Sequence, residues 1–179
     1  MIDDIDTLLI KRFQAGDIAA FEEFIRRYQD RLHRLARVFL HEFSYCDDAV
    51  QEVFIRAYTG MPRFQFRSKP FSWLYRTLQN VCSEINRKQL RTVELEEHES
   101  YQIDEALQLE QKQQLKKIFA KLSELSRRER DVVLLRVFEE FNERETAIIL
   151  GVKRGTVKSL LHRGLAKLKS KNIEITENE

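Results

Sequence analysis

A chain of 179 residues, 42% of them apolar, has the length for one core or two small ones and the composition of an ordinary globular protein. Only five Gly and two Pro interrupt a composition rich in helix-forming side chains, and no alternating strand pattern stands out, so an all-α fold is expected. The formal net charge of +2 excludes little until it is divided along the chain.

That division is uneven. From residue 112 to 171 sixteen Lys and Arg stand against seven Asp and Glu, a net of +9, whereas residues 91–111 hold one Arg against seven acids, a net of −6. A basic module behind an acidic bridge is the electrostatic footprint of a nucleic-acid binder. No apolar run approaches the ~18 residues of a membrane span, and the start MIDDID is unlike a signal peptide, so a cytoplasmic protein without membrane insertion is expected. Cys46 and Cys82 are too few for a disulfide framework or a zinc ligand set. The four histidines are scattered, and there is no Gly-rich phosphate loop or nucleophile and base pattern. No catalytic residue, cofactor or metal is therefore expected.

Along the chain, the first strong helix is opened by Gly16-Asp17, with Asp17 as its cap. Phe21, Phe24, Ile25, Tyr28, Leu32, Leu35, Ala36 and Phe39 then recur three or four apart as a wide apolar face. The next helix, YCDDAVQEVFIRAY, begins near Cys46 to Asp48. Its Ala49, Val53, Phe54 and Ala57 suit a core, which leaves Asp48, Gln51, Glu52, Ile55 and Arg56 outward. An outward Ile55 in that polar set reads first as an ordinary isolated apolar residue, and second as part of a partner surface.

The most unusual composition follows. Pro62 and Pro70 bracket a loop in which Arg63, Arg67 and Lys69 alternate with Phe64, Phe66 and Phe71, and a helix after it holds Trp73, Tyr75, Arg76, Gln79, Asn80, Asn86, Arg87 and Lys88. Rings that stack on bases among cations that neutralise phosphates suit single-stranded nucleic acid. Trp73, Leu74, Leu78, Val81 and Ile85 also keep helical spacing, and Trp73 and Leu74 read better as core.

From about Gln89 to Gln111 the chain is acidic and poor in large apolar residues, a linker by composition. A second module opens with a helix from Leu109 to Leu125, in which Leu115, Ile118, Phe119 and Leu122 keep helical spacing. Ser126, matched by Glu129, caps another helix from Arg127 to Phe138, with Val132, Val133, Leu135, Val137 and Phe138 on its apolar side. Asn142 and Glu145 form a further capping box, and Ala147, Ile148 and Leu150 supply the apolar side of the short helix they open. Gly151 permits a tight turn, Val152 plugs the corner, and Val157, Leu161, Leu165 and Leu168 make one stripe of a last helix. Opposite that stripe lie Arg154, Gly155, Lys158, Ser159, His162 and Arg163, a cationic set suited to phosphates and major-groove edges. Taken alone, the pair of helices fits both a DNA reader and an amphipathic hairpin with a solvated face. From Ser170 onward the tail is polar and acidic.

In this order the motifs resemble those of bacterial RNA polymerase sigma factors of the extracytoplasmic-function group, from Gly16-Asp17 to Leu168. Asp48 to Tyr58 resembles that family's core-polymerase-binding helix. Phe64, Ser68 and Trp73-Leu74-Tyr75-Arg76 through Asn80 to Arg87 resemble its promoter-melting segment. Arg127 to Arg130, Gly151-Val152, Gly155 to Ser159 and His162-Arg163 resemble its minus-thirty-five domain.

The resemblance implies two small helical domains joined by an acidic linker. Residues 1–90 would bind core polymerase and recognise and melt the minus-ten element, 91–111 would be the linker, 112–170 a helix-turn-helix domain for the minus-thirty-five element, and 171–179 a polar tail. It implies that Asp48, Gln51, Glu52, Ile55 and Arg56 dock on polymerase, and that Arg63, Phe64, Phe66, Arg67, Ser68, Lys69 and Phe71, with Arg76, Asn80 and Arg87, meet minus-ten DNA as duplex and as non-template single strand. Arg154, Gly155, Thr156, Lys158, Ser159, His162 and Arg163 would meet minus-thirty-five DNA. It further implies an anti-sigma factor as a partner.

Departures accompany the matches. Phe66 stands where the family often has Gly, Pro70-Phe71 shifts a usual Phe by one position, and Lys153 replaces a usual Ser cap. Thr146 replaces a usual Ile, and Leu160 a frequent Arg, which implies one lost DNA contact. Two other functions fit parts of the chain. A stand-alone helix-turn-helix regulator accounts for residues 142–168 but leaves the Phe64 to Phe71 loop and the Asp48 to Arg56 surface without a purpose. A helical interaction protein, such as an inhibitor of a sigma factor, is the other.

Overall fold

Asp17 caps as its position ahead of an apolar-periodic run predicts: its Oδ1 accepts from the Ala20 N–H at 3.3 Å and opens α2 (Ile18–Phe39). The computed structural model describes residues 4–93, 118 and 120–169, and no strand occurs among them. The chain divides into two compact units, Met1–Ile103 and Asp104–Glu179.

The first unit begins with a helix outside the expected set, α1 (Asp4–Gln14). It buries Leu9, Ile10 and Phe13, and it is fastened to α2 by polar groups. Asp6, 4% exposed, pairs with Arg27 Nε at 2.9 Å and accepts a hydrogen bond from the Tyr28 hydroxyl. A carboxylate this buried is tolerable only because both partners are present. At the other end of α1, Arg12 reaches Asp17 at 2.7 Å and holds that carboxyl below its ordinary value.

Packed with α1 and α2 are α3 (Cys46–Gly60) and α4 (Pro70–Val93). Phe24, Leu32, Leu35 and Ala36 of α2, Ala49, Val53 and Ala57 of α3, and Leu74, Tyr75 and Leu78 of α4 are each 1% exposed or less. Ile25 and Phe39, placed on the apolar face of α2, are only half-buried, as is Ile85 of α4. Rings run through this core from Phe24 to Tyr28 (4.9 Å between centroids), to Phe71 (6.0 Å) and to Tyr75 (6.0 Å). Both cysteines are buried, and burial lifts the Cys46 thiol to about 11 and the Cys82 thiol to about 12, which keeps them inert as nucleophiles. Because α4 continues to Val93, the first three residues assigned to the linker are helical; 94–111 lie outside the described residues, as do 170–179.

In the second unit Ile118 is half-buried and Leu122 and Leu125 are buried, while Leu109, Leu115 and Phe119 lie outside the described residues. Ser126 and Glu129 form the expected reciprocal capping box at the start of α5 (Arg127–Val133). The helix then widens into a π-helical turn, Leu134–Phe138, instead of running on regularly. That change of register buries Leu134 and Leu135, leaves Val137 half-buried, and turns Phe138 out to 46% exposure, so Phe138 is not part of the apolar side.

The helix-turn-helix follows as α6 (Glu143–Leu150), opened by the Asn142 and Glu145 capping box, and α7 (Arg154–Lys169). Gly151, at φ +66°, closes α6 in the left-handed conformation. Val152 is half-buried against Val132, Ala147, Val157 and Leu160. Two inward assignments are displaced by one residue. Ile149 is buried and Ile148 is 49% exposed; Leu160 is buried and Leu161 only half-buried. Thr146 is fully buried, with its hydroxyl donating to the Asn142 carbonyl at 3.0 Å.

α7 packs closely on α5 at Gly164, where an added Cβ would meet Val133 Cγ2 at 2.8 Å, whereas at Gly155 it would meet nothing within 4 Å. Phe66 is the opposite case, a bulky residue held at φ +54°.

Two stability measurements check these points by chemical denaturation. Gly164→Ala should destabilise by ~1–3 kcal/mol through overpacking, while Gly155→Ala on the same helix should be neutral or stabilising by up to ~1 kcal/mol. Phe66→Gly should be more stable than Phe66→Ala by roughly 1 kcal/mol, because both lose the ring and only glycine adopts the left-handed backbone without strain.

Candidate nucleic-acid interface

The loop between α3 and α4 is shaped by what surrounds it. A 3-10 turn, Met61–Arg63, leads from the end of α3, with Met61 fully buried and Pro62 locked in the turn. Pro70 then starts α4, where a missing N–H costs nothing. Between these fixed ends Phe64 and Phe66 are half-buried and meet edge to face at 5.3 Å, and Phe64 also lies 5.7 Å from the half-buried Trp73. Arg63 and Arg67 are exposed; Ser68 and Lys69 are half-buried. The loop thus holds two partly open rings among cations, the arrangement that base stacking beside a phosphate chain requires.

Phe71 does not belong to this set. It is 4% exposed, packed between Tyr28 and Tyr75, and the Arg31 guanidinium lies 3.7 Å from its ring centroid. The helical periodicity of α4 claims Phe71 together with Leu74, Tyr75 and Leu78, so the surface loop ends one residue before it. On the solvent side of the same helix Arg76, Asn80 and Arg87 are all exposed, at spacings of four and seven that keep them on one face.

On α3, Asp48 and Gln51 are exposed and Ile55 is 59% exposed. Glu52 and Arg56 are half-buried and paired: Arg56 Nε donates to Glu52 at 2.7 Å, and its two terminal nitrogens reach Glu84 of α4 at 2.8 and 3.3 Å. Hydrogen bonds to Glu84 and Glu52 raise the Arg56 guanidinium, and Arg56 holds the Glu84 carboxyl low. Arg56 is therefore a strut between α3 and α4 at the edge of this surface. Nothing in helical periodicity foretells its partner Glu84, which is 28 residues away.

In the second unit, Arg154, Gly155, Lys158, Ser159, His162 and Arg163 are exposed on α7, and Thr156 is half-buried. The Lys153 carbonyl accepts from the Thr156 and Val157 N–H groups at 2.9 and 3.2 Å, which makes Lys153 the residue that starts the helix. Leu160 points the other way. It packs on Val132, so hydrophobic burial occupies this position.

The cations of α7 are steered by acids that lie on other helices. Glu143 lies 3.5 Å from Arg154 and 3.8 Å from Lys158. Glu129, its carboxyl held low by a 2.7 Å hydrogen bond from Lys167, lies 4.0 Å from Arg163. With 61–69% of the Arg154, Lys158 and Arg163 side chains exposed, such pairs contribute roughly 0–1 kcal/mol each and yield readily to a phosphate.

Comparison with known proteins agrees with this geometry. Residues 24–92 match the family model described as Sigma-70 region 2, and residues 115–168 match Sigma-70, region 4. The RNA polymerase sigma-E factor of Streptomyces coelicolor is 32% identical over 155 residues, 86% of each chain. The ECF RNA polymerase sigma factor SigM of Mycobacterium tuberculosis is 30% identical over 164 residues, 91% of this chain and 82% of that one. The solved structure of the sigma factor RpoE in complex with the anti-sigma factor NepR, from Bartonella quintana, shares the fold at 22% identity with a TM-score of 0.67, over 84% of this chain and 94% of that one. With two sigma-70 regions in order and relatives matched over most of their length, the chain belongs to the extracytoplasmic-function (ECF) group of RNA polymerase sigma factors.

Proposed function

We propose that this sigma factor grips its promoter at two points, with the work divided between the two units. The first unit docks on core RNA polymerase through Asp48, Gln51, Glu52 and Ile55 of α3, with Arg56 bracing that surface from its edge. Its loop, through Arg63, Phe64, Phe66, Arg67, Ser68 and Lys69, takes an unstacked base of the minus-ten non-template strand. Arg76, Asn80 and Arg87 track the strand along α4. The second unit reads the minus-thirty-five duplex with Arg154, Gly155, Thr156, Lys158, Ser159, His162 and Arg163. Residues 91–111 bridge the two, and their net charge of −6 complements a basic channel in polymerase.

The chemistry is recognition and strand separation, without covalent catalysis. Unstacking a base costs a few kcal/mol, and a site that stacks the extruded base on an aromatic ring and neutralises its phosphates offsets that cost. The observation that carries the reading is the contrast within one short segment: Phe64 and Phe66 stay partly open among cations while Phe71 is committed to the core. Such a protein works where polymerase and chromosome are, in the cytoplasm. An anti-sigma factor, as in the Bartonella complex, is the expected negative regulator.

Separable defects test the division. In holoenzyme, Phe64→Ala should leave upstream duplex binding intact and reduce permanganate-detected opening of the minus-ten strand. Lys158→Glu or Arg163→Glu should weaken upstream binding by ~1–3 kcal/mol per lost good contact. Normal opening by the first variant, or an unchanged upstream footprint with the others, would remove the corresponding assignment.

A further inference from the structure

The loop between α3 and α4 is held from outside its own segment. Gln14, at the last turn of α1, donates both amide hydrogens of Nε2 to backbone carbonyls of the 3-10 turn, to Met61 at 3.0 Å and to Phe64 at 3.0 Å. The Met61 carbonyl also accepts the Phe64 N–H at 3.0 Å, which closes the turn. Gln14 thus bridges the carbonyls at its two ends and fixes where the chain leaves it, at Phe64. One turn earlier on α1, Lys11 places its ammonium 6.0 Å from the Phe66 ring centroid, so the same end of α1 borders both rings of the loop.

We propose that Gln14 is a positioning residue for strand opening: it latches the Met61–Phe64 turn so that Phe64 is presented to the unstacked base. The inference rests on the reading of that loop as the single-strand site. Gln14 is exposed, so its amide contributes little to the stability of the unit, since surface hydrogen bonds exchange readily with water. Geometry is what it supplies. The amide nitrogen offers two uncharged donors to the two carbonyls, which no acidic or hydroxyl side chain matches. Glutamate, nearly the same shape, presents only acceptors to those carbonyls and pushes the turn away.

The sole tryptophan makes the latch measurable without polymerase, because Trp73 lies beside Phe64. Gln14→Ala should raise acrylamide quenching of Trp73, and Gln14→Glu should raise it further. In holoenzyme both variants should bind polymerase and the upstream duplex normally and lower permanganate-detected opening, the glutamate form more than the alanine form. Leu9→Ala is the control for a general effect of α1, because it removes buried packing from the same helix and leaves the latch in place. It should lower the melting temperature without the quenching or opening change. Wild-type quenching and opening in both Gln14 variants would overturn the latch, as would a Leu9→Ala protein that reproduces their defects. If Phe64→Ala impairs opening and the Gln14 variants do not, the latch alone is wrong; if Phe64→Ala also opens promoters normally, the reading of the loop fails with it.

Discussion

The placement of Phe71 decides what the first unit can show to its surroundings. Its ring sits between Tyr28 and Tyr75 with the Arg31 guanidinium 3.7 Å from its centroid, and fully burying such a ring is worth about 1.5–3 kcal/mol. That commitment sets the helical phase of α4, which turns Leu74, Tyr75 and Leu78 inward and Arg76, Asn80 and Arg87 outward. It also ends the preceding loop at Pro70, so Phe64 and Phe66 are the rings the loop can offer. Core packing and the candidate single-strand surface are therefore two sides of one constraint.

The same reciprocity governs the second unit. Val157 and Leu160 must reach the core that Val132 helps to form, and Gly164 lets α7 come close to Val133 of α5. Once those residues are inside, the intervening turns must point Lys158, Ser159, His162 and Arg163 outward. Glu129 and Glu143 then keep the outward cations loosely oriented without neutralising them for good. The exposed face of α7 is thus preorganised by its neighbours.

Much of this was legible in the chain because the relevant signals are local. Both capping boxes, the Asp17 cap and the left-handed Gly151 depend on residues within a turn of one another, and each was read from the sequence. What was misread depends on partners far along the chain. Ile148 and Ile149, or Leu160 and Leu161, are adjacent apolar residues about 100° apart on a helix, and only packing against neighbouring elements selects which one is buried. The π-helical turn after Val133 shifts the phase again and expels Phe138. The periodicity of helix α1 is blurred, because Leu8 and Ile5 face solvent beside the buried Leu9 and Ile10. Its polar anchors, Asp6 on Arg27 and Tyr28 and Gln14 on the Met61–Phe64 turn, are pairings that no spacing rule foretells.

The central claim is that the two units act together as the promoter-recognition subunit of a polymerase. The direct measurement is reconstitution with core RNA polymerase on promoters selected from random or genomic DNA, read as co-purification and as specific initiation. The account predicts a stoichiometric complex that starts transcription at sites carrying two spaced elements and opens the downstream one. A chain that binds duplex DNA tightly by itself, never joins polymerase and supports no specific start would contradict it.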